Sequence, residues 1–147
     1  MPRKKGIRDK AQREKGKSEK AEGRSEKLMK TYRDLIVWQK SIKLVTEVYS
    51  ITKNFPKEEL YGLTSQIRRS VVSIPSNIAE GYGRNSTQDY IRFLQIACGT
   101  LYEMQTQIEI AVNLDYLDRE YSENIFNQTN EIERMLNSFI RKMKEKT

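Results

Sequence analysis

The sequence predicts an all-α protein, an up-down-up-down four-helix bundle with a flexible basic N-terminal arm. Two observations predict the bundle. Apolar residues recur at steps of three and four through four successive segments, and nothing reads as a strand. The connections between segments are short, which favours antiparallel neighbours. A third observation predicts the arm. The chain carries a net charge of +7, and residues 1–30 hold 12 basic against 5 acidic side chains, which leaves 15 against 15 for residues 31–147. Only six of those first thirty residues are apolar, three are glycine and one is proline. That is too little apolar surface to offset the entropy lost on ordering. The chain therefore divides into an arm, 1–30, and a bundle, 31–147.

Within the arm, Arg3, Lys4, Lys5, Arg8 and Arg13 are candidate contacts to nucleic-acid phosphates, and a solvated, solubilising tail is the plainer alternative. Asp9 with Arg13 and Lys15 with Glu19 stand at helical i, i+4 spacing, while Gly16 and Gly23 oppose a stable helix. No continuous apolar stretch suggests a secretory signal, and five acids depart from an organellar presequence.

The first helix is expected from about Asp34 to Asn54, with Trp38, Ile42, Val45, Tyr49 and Thr52 inward and Phe55 and Pro56 closing it. The second carries Leu63, Ile67, Val71, Ile74 and Ile78 on one stripe, yet Pro75 sits inside that stripe. Proline cannot donate to the carbonyl of Val71, so the helix should bend or find a substitute donor, with Ser73 and Ser76 nearest. Asn77 and Glu80 are expected to satisfy groups freed by Pro75 or at the helix end. Gly81 should end the helix as a left-handed cap before Tyr82, Gly83, Arg84 and Asn85.

The third helix alternates steps of three and four through Ile91, Leu94, Cys98, Leu101, Gln105, Ile108 and Val112, with Ser86, Thr87 and Asp89 marking its start. The fourth begins near Asp118 and points Tyr121, Ile125, Gln128, Ile132, Met135, Phe139 and Met143 inward. Leu35, Ile36, Val48, Phe93, Ile96, Tyr102, Ile110, Phe126 and Ile140 lie off these seams. Wider core-facing stripes account for some of them, and the rest suggest self-association.

Four stretches carry a resemblance: DLIVWQ from Asp34, FPKEELYGLTSQIRR from Phe55, SIPSNIAEGYGR from Ser73 and FLQIACGTLYEMQTQ from Phe93. In this order they resemble the 23S rRNA-intervening sequence proteins, the S23-like four-helix bundles. The resemblance covers nearly everything from Asp34 to Met143, with one departure, Asp115, where a turn glycine is expected. It implies a homo-oligomeric, pentameric bundle encoded in or near large-subunit rRNA genes. It also implies distant kinship to the accessory proteins of diversity-generating retroelements, which bind nucleic acid and a reverse transcriptase. It assigns no settled activity.

Residue types narrow the chemistry further. The chain has no histidine, which removes Ser-His-Asp and Cys-His catalysis, imidazole metal ligands and the Glu-x-x-His di-iron site of bundles. The single cysteine, Cys98, lies on an apolar stripe and reads as a small buried hydrophobe. Asn77, Glu80, Asp89, Tyr90, Glu103 and Glu109 are the polar groups from which a site would have to be built, and no spacing among them marks a metal or phosphate motif. No enzyme activity, cofactor or metal is expected. The longest apolar run, Leu35–Trp38, is far too short to span a bilayer, so a cytoplasmic protein is expected.

Arg68, Arg69, Arg84 and Arg92 gather around the second helix and the loop after it, with Tyr82 and Tyr90 nearby for stacking. Alternatively, Arg68 and Arg69 pair with Glu58, Glu59 or a neighbouring subunit's acids. The sequence thus reads as a non-enzymatic homo-oligomer that presents basic arms to RNA or DNA. The rival reading is an interaction scaffold with a polypeptide partner.

Overall fold

A computed structural model describes residues 30–146. Its helices are α1 (Ile36–Thr52), α2 (Leu63–Tyr82), α3 (Thr87–Asn113) and α4 (Arg119–Glu145), with short 3-10 turns at Tyr32–Asp34 and Lys57–Glu59. Each helix packs on the next and α4 closes onto α1, the neighbour pattern of an up-down-up-down bundle. Among the described residues there is no strand.

In α2 all five residues of the predicted stripe are buried, joined by Thr64, Ser70, Pro75 and Gly81. In α3 the seam holds through Ile91, Leu94, Cys98, Leu101 and Ile108, and a second line of Ala97, Met104 and Ala111 is buried beside it. Ser86 caps α3 as expected, its side chain accepting from the Asp89 N–H at 3.1 Å.

The inward faces of α1 and α4 differ from expectation by about one residue. In α1 the buried residues are Val37, Ser41, Leu44, Val48 and Thr52, while Ile42 and Tyr49 are exposed. Apolar residues surround this helix, and two stripes at three-and-four spacing compete. Thr52 belongs to both, its Oγ1 donating to the Val48 carbonyl at 2.8 Å, and the stripe through Ser41 can enter the core because Ser41 Oγ donates to the Val37 carbonyl at 2.7 Å. Likewise α4 buries Ser122, Ile125, Thr129, Ile132, Leu136 and Ile140, whereas Tyr121 is exposed. Of the off-seam residues, Leu35, Val48 and Ile140 therefore belong to the core, and Ile96, Tyr102 and Ile110 remain exposed.

The turn after α3 explains why aspartate serves where glycine was expected. Asp115 takes the left-handed conformation, φ 60°. Its N–H donates to the Val112 carbonyl at 3.0 Å and the Tyr116 N–H to the Ala111 carbonyl at 2.9 Å, the paired bonds of a Schellman motif. Tyr116 then packs against Phe55, ring centroids 5.7 Å apart.

Candidate nucleic-acid interface

The proline-containing helix comes first because it sets the spacing of its basic residues. Pro75 is buried and α2 runs continuously through it. Asn77 Nδ2 donates to both the carbonyl and the hydroxyl of Ser73, each at 2.8 Å, and Ser76 Oγ donates to the Val72 carbonyl at 2.8 Å. These bonds fall on the carbonyls of Val72 and Ser73, next to the Val71 carbonyl that the proline leaves without its helical donor, and none of them reaches Val71. Two further expectations are corrected. Glu80 takes no part in this network; it is exposed and faces Arg84 one turn away at 3.3 Å. Gly81 does not end the helix, and no described glycine has a positive φ. It lies buried inside α2, where an added Cβ would stand 2.8 Å from both Phe93 Cβ and Tyr90 Cδ2. Its role is close packing of α2 on α3.

The four arginines of the predicted cluster fall into two pairs. Arg68 and Arg69 lie in the first two turns of α2, while Arg84 follows its last turn and Arg92 opens α3. At 1.5 Å per residue, roughly 20 Å of helix separates the pairs. Arg68 stacks over the Tyr49 ring at 4.7 Å and its Nε donates to Thr52 Oγ1 at 2.9 Å. Glu59 does not pair with either arginine; its Oε2 accepts the Leu63 N–H at 3.0 Å and caps α2. Arg84 stacks over Phe93 at 4.7 Å.

Tyr90 is not available to stack on a base. It packs edge-on between Tyr82 and Phe139, at 6.2 and 5.5 Å, and its phenol oxygen is buried without a hydrogen-bond partner. Burial, with Tyr82 beside it, pushes its pKa well above the ordinary phenol value. Cys98 is likewise inert, since burial first and Glu133 second push its thiol up to about 11. Among the described residues no group of three acids or thiols converges on a metal-sized site. No described helix is long and apolar enough to cross a membrane.

What the fold assembles instead is a charge separation that no single segment shows. Antiparallel packing brings the start of α1, the end of α2, the start of α3 and the end of α4 to one end of the bundle. That half carries eleven basic residues, Lys30, Arg33, Lys40, Lys43, Arg84, Arg92, Arg134, Arg141, Lys142, Lys144 and Lys146, against six acids, Asp34, Glu80, Asp89, Glu131, Glu133 and Glu145, with Glu131 bonded to Lys40. The opposite half carries five basic residues, Lys53, Lys57, Arg68, Arg69 and Arg119, against nine acids, Glu47, Glu58, Glu59, Glu103, Glu109, Asp115, Asp118, Glu120 and Glu123. Arg68 and Arg69 therefore sit in the acidic half.

Chain entry at Lys30 joins residues 1–29 to the basic end. The candidate contacts Arg3, Lys4, Lys5, Arg8 and Arg13 lie outside the described residues. The basic run from Arg141 to Lys146 was visible in the sequence, but a basic last turn also complements the helix dipole, so it carried no functional signal alone.

Comparison with known proteins agrees with this architecture. A crystal structure from the S23 ribosomal protein family of Bacteroides thetaiotaomicron, described as a protein with unknown function, superposes with a TM-score of 0.65 at 30% identity. The match covers 71% of this chain and 98% of that one. No curated protein matches. The family described as 23S rRNA-intervening sequence protein matches residues 33–138, the bundle from the turn before α1 up to the last two turns of α4, which lie beyond the match, and the chain belongs to that family.

Proposed function

We propose that this protein is a non-enzymatic, cytoplasmic homo-oligomer, five-fold in symmetry, that binds nucleic acid, RNA foremost, at the end of the bundle where the arm joins. The observation that carries the reading is the charge separation. A bundle close to neutral overall binds phosphate weakly if its charges are mixed, but a half with eleven basic and six acidic groups presents a one-sided field to a polyanion. The basic arm extends that surface. In an oligomer several such ends act together, so weak single contacts add to useful avidity.

The test measures binding of the full chain and of residues 31–147 to single-stranded and duplex RNA across a salt series. Removal of the arm is expected to weaken binding and lower the salt slope while leaving helix content unchanged. The residual binding should disappear with Arg92→Gln, Arg141→Gln and Lys142→Gln together, each lost phosphate contact lowering the slope by about 0.7 to 0.9. Equal affinities and slopes in all three proteins would reject the reading. Salt-independent binding of a polypeptide would favour the scaffold alternative, which rests on the exposed Tyr49, Tyr61 and Val72.

A further inference from the structure

Tyr90 is withdrawn into the bundle, yet the basic end presents a stacking surface of another kind at the turn where the chain enters. Tyr32 and Trp38 meet edge to face, ring centroids 5.2 Å apart. The Arg33 guanidinium lies over both, 5.7 Å from the first centroid and 5.8 Å from the second. Both rings are half-buried while Arg33 is exposed, so one side of the guanidinium rests on carbon and the other faces solvent. No acid among the described residues forms an ion pair with it.

The turn is tied down before any ligand arrives. Thr31 Oγ1 accepts the Arg33 N–H at 3.1 Å, and Asp34 Oδ2 accepts the N–H groups of Lys30 and Thr31 at 3.0 and 3.2 Å. Asp34, the acid next to Arg33 in sequence, is thereby engaged by the backbone. Gln39, in the first turn of α1, donates from Nε2 to the Arg33 carbonyl at 2.8 Å. The turn packs against α2 as well as α1, at the end of the bundle where Arg84 lies over the Phe93 ring at 4.7 Å. Arg84 also faces Glu80 at 3.3 Å, which leaves Arg33 the freer of the two stacked cations.

A guanidinium plane laid on an aromatic ring can take a nucleobase on its open side, and such stacks tolerate any sequence because every base has a π-face. Only an unpaired strand can offer that face. Duplex RNA keeps its bases inside the helix and offers mainly phosphates and 2′-hydroxyls. We propose that Arg33, on its platform of Tyr32 and Trp38, is a nucleobase-stacking site through which this protein selects single-stranded over duplex RNA. The site rests on the nucleic-acid reading given under Proposed function and adds the form of the ligand, a strand whose base lies on Arg33 while its phosphates run over the basic end. Arginine is needed there beyond its charge, since lysine has no plane to stack.

Trp38 is the chain's one tryptophan, so its fluorescence reports on this site. The experiment titrates the full chain with a short RNA of mixed sequence, alone and annealed to its complement, across a salt series. The single strand should bind more tightly and quench Trp38, and the duplex should bind without quenching. Arg33→Lys keeps the charge at an exposed position, and circular dichroism confirms its folding. It should lower single-strand affinity about fivefold or more, the loss of one stacked base, while the salt slope holds and most of the quenching disappears. A parent that binds neither ligand would overturn the nucleic-acid reading and this site together. A parent that binds strand and duplex equally, with Trp38 unperturbed, would overturn the stacking site alone and leave a surface that reads phosphates. Parental affinity and quenching in Arg33→Lys would overturn the assignment to Arg33.

Discussion

Gly81 shows how a single missing side chain sets the geometry of this bundle. Helix propensity alone predicts that Gly81→Ala stabilises an interior helical position by about 1 kcal/mol. The packing predicts the opposite, because the new methyl would lie 2.8 Å from Phe93 Cβ, an atom one bond from the α3 backbone that cannot swing aside. Overpacking of this kind costs about 1 to 3 kcal/mol. Gly81→Ala should therefore lower the urea midpoint, and a raised midpoint would show that α2 and α3 separate easily. The sequence made the same glycine look like a helix terminus, since a glycine followed by Tyr82 and a second glycine is the pattern of a left-handed cap. Only the approach of a second helix reveals the other reason for glycine.

At the scale of helices, legibility followed how one-sided each stripe is. The apolar stripes of α2 and α3 were readable because polar residues leave few other registers open. In α1, Trp38, Ile42, Val45 and Tyr49 compete with Val37, Leu44 and Val48, and serine bonding to its own backbone lets the second stripe enter the core. In α4 the two candidate stripes share Ile125 and Ile132 and diverge elsewhere, so the offset is the same in kind. The network around Pro75 separates two residues that sequence reasoning treated alike. Asn77→Ala should lower stability by about 1 to 2 kcal/mol, because it removes a half-buried donor serving both Ser73 oxygens. Glu80→Ala should fall within about 0.5 kcal/mol of the parent, as an exposed i, i+4 pair contributes little. Chemical denaturation of both variants checks the contrast, and equal losses would contradict it. Between helices, Lys40 Nζ bonds Glu131 Oε1 at 2.5 Å and ties α1 to α4. That hydrogen bond, chiefly, holds the Glu131 carboxyl below its ordinary pKa. A depressed folded-state pKa gives stability that is complete above the unfolded value, about 4.3, and is lost as pH falls through the folded one. Glu131→Gln should therefore flatten the acid side of the stability profile below that point. A profile unchanged from the parent would show that the pair contributes nothing.

For the whole molecule, the informative property is where charge sits. Counting along the sequence gave a balanced bundle, because α1 and α3 begin at the basic end while α2 and α4 finish there, and only topology sums them. Arg68 and Arg69 looked equivalent to Arg84 and Arg92 in the sequence, yet the length of α2 places the two pairs in oppositely charged halves. A pair of variants isolates position from amount. Arg92→Glu reverses one charge at the basic end, and adding Glu58→Arg at the far end returns the net charge to +7. Both sites are exposed, and Glu58 lies in the short turn before α2. If attraction depended on net charge, the second substitution would restore RNA affinity. If the basic end is the binding surface, the double variant should bind as weakly as Arg92→Glu alone, with a salt slope about one phosphate contact shallower than the parent. Titration of the parent, the single and the double variant against one RNA across a salt series decides between them. Full rescue by Glu58→Arg would mean that the bundle attracts nucleic acid as a diffuse charge, with no located surface.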